Sequence, residues 1–272
     1  MADHININGK IISRAQAGLA PDNSAFRYGY GLFETVLVRD GQAQLWPYHL
    51  ERLEQGMNLL GLRLPAHQQP ATLEQELLRA VKKNGQEKLC RVRLQVYGGS
   101  GGIFEPRLAD AGYLVECYEL EEGITRLNNN GLVAGIATGI AKSADVLANL
   151  KSSNALVYTM AARQARDRKW NDALVTNTSG HIIESCIANI FWVQGGTLYT
   201  PPLTEGCVAG VMRRHIMSRH TVTEQPLTTG ELMAADEVWL TNAIRGIKWV
   251  GRIGDKEFGH SLAEQVAAQL AH

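Results

Sequence analysis

The sequence predicts an α/β fold of the α+β type in two domains, a small N-terminal α/β domain over residues 1–120 and a larger C-terminal domain over 121–272. Three observations carry this. Ile5–Ile12 alternates apolar and polar residues around Asn8-Gly9, and Phe33–Arg39 runs into Asp40-Gly41 with a partner at Gln44–Trp46. These are hairpin signals, so the chain opens with antiparallel pairs rather than a crossover unit. Glu119–Asn130, ELEEGITRLNNN, is polar and aperiodic, which places a linker over 119–130. Beyond it, short apolar strands and glycine turns surround helical runs after Lys151, from about Ala209 to Arg219 and at the C-terminus.

A chain of 272 residues buries a core without covalent staples. Its 27 basic and 27 acidic residues balance, leaving no electrostatic footprint for nucleic acid or an anionic membrane. Four widely spaced cysteines, Cys90, Cys117, Cys186 and Cys207, form no CxxC pair. They read as reduced, buried thiols, and no metal site is expected. The first residues, MADHININGK, lack the apolar stretch of a signal peptide, and no apolar run spans a bilayer. The expectation is a soluble cytoplasmic protein.

In the first domain, Pro21–Ser24 reads as a loop and Phe26–Phe33 as an edge segment in which Gly29 and Gly31 permit unusual backbone. Pro47 stands near the start of a helix over Tyr48–Leu60, with Leu50, Leu53, Met57 and Leu60 on one face and Gly61 at its end. Arg52 on this helix reads, from the residues alone, as a surface arginine paired with Glu51 or Glu54. Thr72–Asn84 is the next helix, and Leu89–Tyr97 and Tyr113–Tyr118 are strands. Between them GGSGG, residues 98–102, reads as a flexible connection. It is no Walker loop, because no Gly-Lys-Ser/Thr follows.

In the second domain, Gly131–Gly139 is the first strand. Lys151 stands ahead of a helical run, strands follow at Asp172–Thr176 and His181–Ile183, and the latter delivers a lone acid, Glu184. A lysine under the control of an acid can form a Schiff base with a carbonyl. The alternative is a solvated lysine and a turn glutamate. Lys142 is the rival amine, but it lacks the asparagine and helix that follow Lys151. Gly195-Gly196 turns a hairpin, and Thr204-Glu205-Gly206 precedes the helix near Ala209. Glu237–Thr241 is a strand, Asn242–Gly246 a turn, Val250–Ile253 and Phe258 a hairpin, and Ser261–Leu270 a closing helix. The histidines, His49 and His215 among them, are scattered singly and read as packing or surface groups.

NLKSSN at 149–154, IIESCIANIFWV from Ile182, TPPL at 200–203 and GVMR at 210–213 resemble the class IV aminotransferases, the fold-type IV pyridoxal phosphate enzymes. The resemblance spans about Ile5–Val250. It implies a mixed, barrel-like sheet in the larger domain, a pyridoxal 5'-phosphate cofactor and a homodimer acting on a small-molecule substrate. It implies that Lys151 is the catalytic lysine carrying the cofactor and that Glu184 faces its ring nitrogen. Arg52, from the HxxRL segment, Gly210, Val211 and Met212 at a helix start, and Thr241 with Asn242 would hold the phosphate. Tyr28, Phe33, Thr35 and Arg245 would face substrate. Many relatives carry an arginine where Gly98 stands, so a carboxylate-binding group is missing here.

Within the family, GLFET at 31–35 with Arg39-Asp-Gly41 is more similar to 4-amino-4-deoxychorismate lyases of folate biosynthesis than to branched-chain enzymes, which usually have glycine where Thr35 stands. Asn242–Ile247 likewise lacks their Gly-Thr-Ala pattern. The lyase reading leads, ahead of a branched-chain or D-amino-acid aminotransferase. A non-catalytic homologue is disfavoured because Lys151 and Glu184 are both present. A nucleotide-binding oxidoreductase is weaker still, as no GxGxxG follows a strand and opens a helix.

Overall fold

In a computed structural model, which describes residues 2–65, 68–102, 105–106 and 111–270, the chain forms two compact units. One comprises Met1–Ile124 with Leu150–Asn154, the other Thr125–Asn149 with Ala155–His272. The short return of Leu150–Asn154 to the first unit was not legible in the sequence.

The first unit is a six-stranded antiparallel sheet in the order β2 (Lys10–Ser13), β1 (His4–Ile7), β8 (Gly112–Glu119), β5 (Leu89–Tyr97), β3 (Gly31–Arg39), β4 (Gln42–Ala43). The β1–β2 hairpin turns on Asn8 and Gly9, both at positive φ, as Asn-Gly favours. The turn at Asp40-Gly41 forms as expected, but the partner strand is Gln42–Ala43. Trp46 instead opens helix α2 (Trp46–Leu60), with Pro47 in the first turn and Gly61 in the left-handed conformation at its end. Helix α3 (Leu73–Lys83) follows. The two helices and the sheet enclose Leu53, Met57, Leu73, Leu77, Val92 and Leu94, all nearly sealed from water, each burial contributing about 2 kcal/mol.

The edge-segment reading of residues 26–33 is corrected. Asn23 Oδ1 accepts the Ala25 and Phe26 N–H groups and nucleates a short helix α1 (Ser24–Tyr28), which Gly29 terminates before β3 begins. The GGSGG stretch is tied to the same residues. Asn23 Nδ2 donates to Gly98 O, Ser24 N–H to Gly99 O, and Gly98 N–H to Tyr30 O, while Gly101–Gly102 (β6) pairs with Glu105–Pro106 (β7). Part of its backbone is thus hydrogen-bonded to protein.

The second unit is a nine-stranded mixed sheet. Its path is β11 (Ile182–Ser185), β10 (Asp172–Thr176), β9 (Leu132–Ile136), β16 (Gly246–Ile253), β15 (Glu237–Asn242), β12 (Asn189–Gln194), β13 (Thr197–Thr200), β14 (Thr223–Glu224), with β17 (Lys256–Glu257) on β16. A further pairing of β11 with β12, Glu184 opposite Asn189, closes the first six into a barrel. Trp192, Ile190 and Leu240 fill the interior with Leu174 and Ile182. Helix α4 (Leu156–Asp167) packs on β10 through Ala161 and Ala165. Helices α5 (Val211–Met217), α6 (Thr229–Ala234) and α7 (Ser261–Leu270) complete the unit. The helix expected over 209–219 is shorter because extended Gly210 holds its N-terminus. Among the described residues no helix is long and apolar enough to cross a membrane.

Candidate active site

In the first unit Leu150–Asn154 lies along the edge of β3. Phe33 N–H donates to Lys151 O at 2.9 Å and Ser153 N–H to Gly31 O at 2.8 Å, with a bridge between Leu32 and Ser152. This edge is open because β4 covers only the far end of β3. Gly31 leaves room here, since a Cβ on it would stand 3.1 Å from Ser153 Oγ and 2.7 Å from Val96 O on β5. Side chains alternate along extended backbone, so Lys151 falls on the face bearing Phe33. Its Nζ lies 4.4 Å from the Phe33 ring centroid, and Arg93 Cζ lies 3.8 Å from the same ring. Thr35, two residues on and half-buried, shares this face and pairs in register with Arg93.

Arg52 pairs with a strand residue that the sequence did not suggest. Its Nε and Nη2 grip the two oxygens of Glu34, which also accepts His49 Nδ1 at 2.6 Å. Glu34 sits on the face of β3 opposite Phe33, sealed beneath α2. Burial alone would raise the Glu34 carboxyl, but the adjoining Arg52 charge and these hydrogen bonds lower it to about 2. Burial also lowers the His49 imidazole, leaving it a neutral Nδ1–H donor. Glu34 went unassigned in the sequence, although its place two residues before an alternating strand interior marked it as a charge on an apolar face.

In the second unit Glu184 is 3% exposed. Lys142 Nζ and the Tyr158 hydroxyl each donate to Oε1 at 2.7 Å, and Val208 N–H donates to Oε2 at 3.0 Å. The lysine on Glu184 is therefore Lys142, the one set aside as the rival amine. Burial, then the Glu184 charge, push the Tyr158 phenol up, so it remains a donor. The sequence gave no warning of Tyr158; seven residues beyond Lys151, it needed the packing of α4 on β10 to reach this acid.

The phosphate candidates of this unit converge on Asn189. It faces Thr241 across β12 and β15, its Nδ2 donates to Val208 O at 2.9 Å, and its Oδ1 stands 1.7 Å from where a Cβ on Gly210 would lie. Among the described residues Thr241 Oγ1 is buried without a hydrogen-bond partner, which is unusual in a folded core. Gly210 is extended, and no side chain caps the α5 start at Val211 and Met212. An orphaned hydroxyl beside a glycine-bordered helix start suits a small oxyanion such as a phosphate. Asn242 Oδ1 accepts the Ile244 and Arg245 N–H groups, so its side chain shapes its own turn, at whose tip Arg245 is exposed. Tyr28, on α1, is exposed. Among the described residues no cluster of three or more His, Cys, Asp or Glu forms a metal site.

A Cβ on Gly98 would meet Tyr30 Cδ1 at 2.4 Å and Ser24 Oγ at 2.5 Å. The Tyr30 hydroxyl donates to Leu60 O, which fixes the ring. An arginine at this position is incompatible with the packing.

Residues 31–253 match the family model for class IV amino-transferases. The chain is 27% identical to aminodeoxychorismate lyase of Bacillus subtilis, covering 97% of this chain and 91% of the relative. Among solved structures it is similar to 4-amino-4-deoxychorismate lyase of Pseudomonas aeruginosa, at 28% identity and TM-score 0.83, covering 98% and 97% of the two chains. Branched-chain aminotransferase of Thermoproteus uzoniensis superposes with TM-score 0.90 at 22% identity, covering 100% and 94%, a likeness of fold. With the barrel, the buried glutamate and the edge lysine in place, the chain belongs to the class IV aminotransferase family.

Proposed function

We propose that this enzyme is a pyridoxal phosphate-dependent 4-amino-4-deoxychorismate lyase, releasing pyruvate and 4-aminobenzoate. The observation that carries the reading is Thr35. The residue by which GLFET departs from branched-chain enzymes lies on the sheet face that bears Phe33 and Lys151. The likeness to two lyases, at 27% and 28% identity over nearly whole chains, supports it.

When bound, pyridoxal phosphate supplies an electron sink for the carbon bearing the substrate amine. Lys151 holds it and then moves the proton of that carbon. Glu184 is the carboxylate for the ring nitrogen, with Lys142, Tyr158 and the Val208 N–H setting its direction. Thr241 Oγ1, the N–H groups of Val211 and Met212, and Asn242 hold the phosphate, with Gly210 leaving the room. Arg52 adds a cation whose plane Glu34 fixes. Tyr28, Phe33, Thr35 and Arg245 contact the substrate. Proton loss from the amine-bearing carbon leaves its electron pair to form the last ring double bond as the neighbouring bond to the enolpyruvyl oxygen breaks. That bond's pair departs on the oxygen, and protonation of the enolate carbon gives pyruvate.

The enzyme acts as a homodimer, with Phe26, 76% exposed on α1, at the subunit contact. Its free cysteines accord with a reducing cytoplasm. The test is incubation with aminodeoxychorismate and no amino acceptor. Release of 4-aminobenzoate with pyruvate is expected. Brisk transamination of leucine or D-alanine with 2-oxoglutarate, and no aminobenzoate, would replace this reading by an aminotransferase.

A further inference from the structure

Glu184 meets three hydrogen-bond donors of its own unit, and they are unevenly divided between its oxygens. An ionised carboxylate offers about four acceptor sites, two on each oxygen. Among the described residues, Lys142 Nζ and the Tyr158 hydroxyl, each at 2.7 Å, fill Oε1, and the Val208 N–H at 3.0 Å takes one site on Oε2. That leaves one acceptor site, on Oε2. With the residue 3% exposed, protein groups decide how its charge is shared.

Both Oε1 donors are held by the fold. The Lys142 N–H donates to Thr176 O at 2.9 Å and its carbonyl accepts the Thr178 N–H at 3.1 Å, which ties its backbone to the end of β10. Tyr158 stands on α4 three residues before Ala161, on the face by which that helix packs. The Lys142 ammonium lies 5.2 Å from the Tyr158 ring centroid. Burial, and then the Glu184 charge, push the phenol up, so it remains a donor. The thiols facing this group, Cys207 and Cys186, are each pushed up to about 12, chiefly by burial, and stay neutral. A carboxylate draws a ring N–H according to the charge that its other partners leave it. Here one oxygen already faces a full positive charge. A protonated ring nitrogen at Oε2 would also stand as a second cation close to Lys142, and like charges in a sealed site repel.

We propose that Lys142 and Tyr158, acting through Glu184, loosen the hold on the cofactor's ring-nitrogen proton, so that this nitrogen titrates within the pH range in which the enzyme is folded. Both are positioning residues. A loosely held ring proton makes the cofactor a milder electron sink than it would be against an isolated carboxylate. The proposal rests on the reading of Glu184 as the ring-nitrogen acid, and it is independent of the choice between lyase and aminotransferase.

The test loads the enzyme with pyridoxal phosphate isotopically labelled at the ring nitrogen and follows the nitrogen NMR shift with pH, in wild type, Tyr158→Phe and Glu184→Gln. The wild-type nitrogen is expected to titrate. Tyr158→Phe removes one donor and leaves Lys142 and Val208 to direct the carboxylate, so the midpoint should rise by about one pH unit. A role confined to holding Glu184 in place gives the opposite sign, a fall towards the Glu184→Gln value. A wild-type nitrogen that stays protonated across the folded range overturns the proposal, and that measurement needs no variant to fold. So does a midpoint in Tyr158→Phe that is unchanged or lower. A wild-type nitrogen unprotonated throughout, or a midpoint that Glu184→Gln leaves where it was, would remove Glu184 from the ring nitrogen, and the proposal falls with that reading.

Discussion

Glu184 and Asn189, cross-strand partners where the barrel closes, grip opposite sides of the same residue. Glu184 Oε2 accepts the Val208 N–H at 3.0 Å and Asn189 Nδ2 donates to the Val208 carbonyl at 2.9 Å. Strand closure, the proposed ring-nitrogen acid and the approach to α5 are thus one hydrogen-bonded unit. Glu184→Gln keeps the size and the Val208 contact but removes the charge beside Lys142. The expected outcome is a cofactor-binding protein whose turnover falls about a hundredfold or more at saturating cofactor. Near-normal turnover would show that another group serves the ring nitrogen.

Two lysines compete for the cofactor on sequence grounds, and their surroundings differ. Lys142 is committed to Glu184 at 2.7 Å, whereas Lys151 lies over an aromatic ring. Borohydride reduction of the cofactor-loaded protein followed by peptide mapping should place the pyridoxyl label on Lys151. A label on Lys142 would reverse the assignment.

Glu34 makes stability depend on acid. Its folded value of about 2 lies below the ordinary 4.5, so the folded state holds this proton less tightly than the unfolded chain. The contribution is complete above the unfolded value and is lost as pH falls from about 4.5 towards 2. It is on the order of 3 kcal/mol. Urea titrations across that window should show wild-type stability falling more steeply than that of Glu34→Gln. Parallel curves would count against the Arg52 pairing.

Gly98→Ala tests the packing that excludes an arginine. With Tyr30 Cδ1 2.4 Å and Ser24 Oγ 2.5 Å from the new carbon, α1 or the Tyr30 ring must move. A loss of about 1–3 kcal/mol is expected in chemical denaturation. An unchanged midpoint would mean that this segment yields freely.

Arg245, at the tip of the turn set by Asn242, is the cation proposed for a substrate carboxylate. Arg245→Ala should raise KM about ten- to a hundredfold and leave cofactor affinity intact. Unchanged kinetics would return it to the solvent.

What the sequence determined by itself is what local chemistry controls. Asn8-Gly9, Asp40-Gly41, Pro47 and Gly61 specify φ values directly, and the alternation of Leu89–Tyr97 specifies which side of a strand is dry. The motifs around Lys151 and Glu184 were legible because each is a short local run that matches the family's pattern. What tertiary structure decided is which charges meet. Lys142 and Glu184 are 42 residues apart, Tyr158 and Glu184 are 26 apart, and Arg52 and Glu34 are 18 apart. Each pairing depends on strand order, barrel closure or the seating of a helix on a sheet. The same holds for Leu150–Asn154, whose five residues join the first unit because the edge of β3 is open there. Hydrogen bonding to a free strand edge is a property of the partner, and a segment's own sequence does not record it.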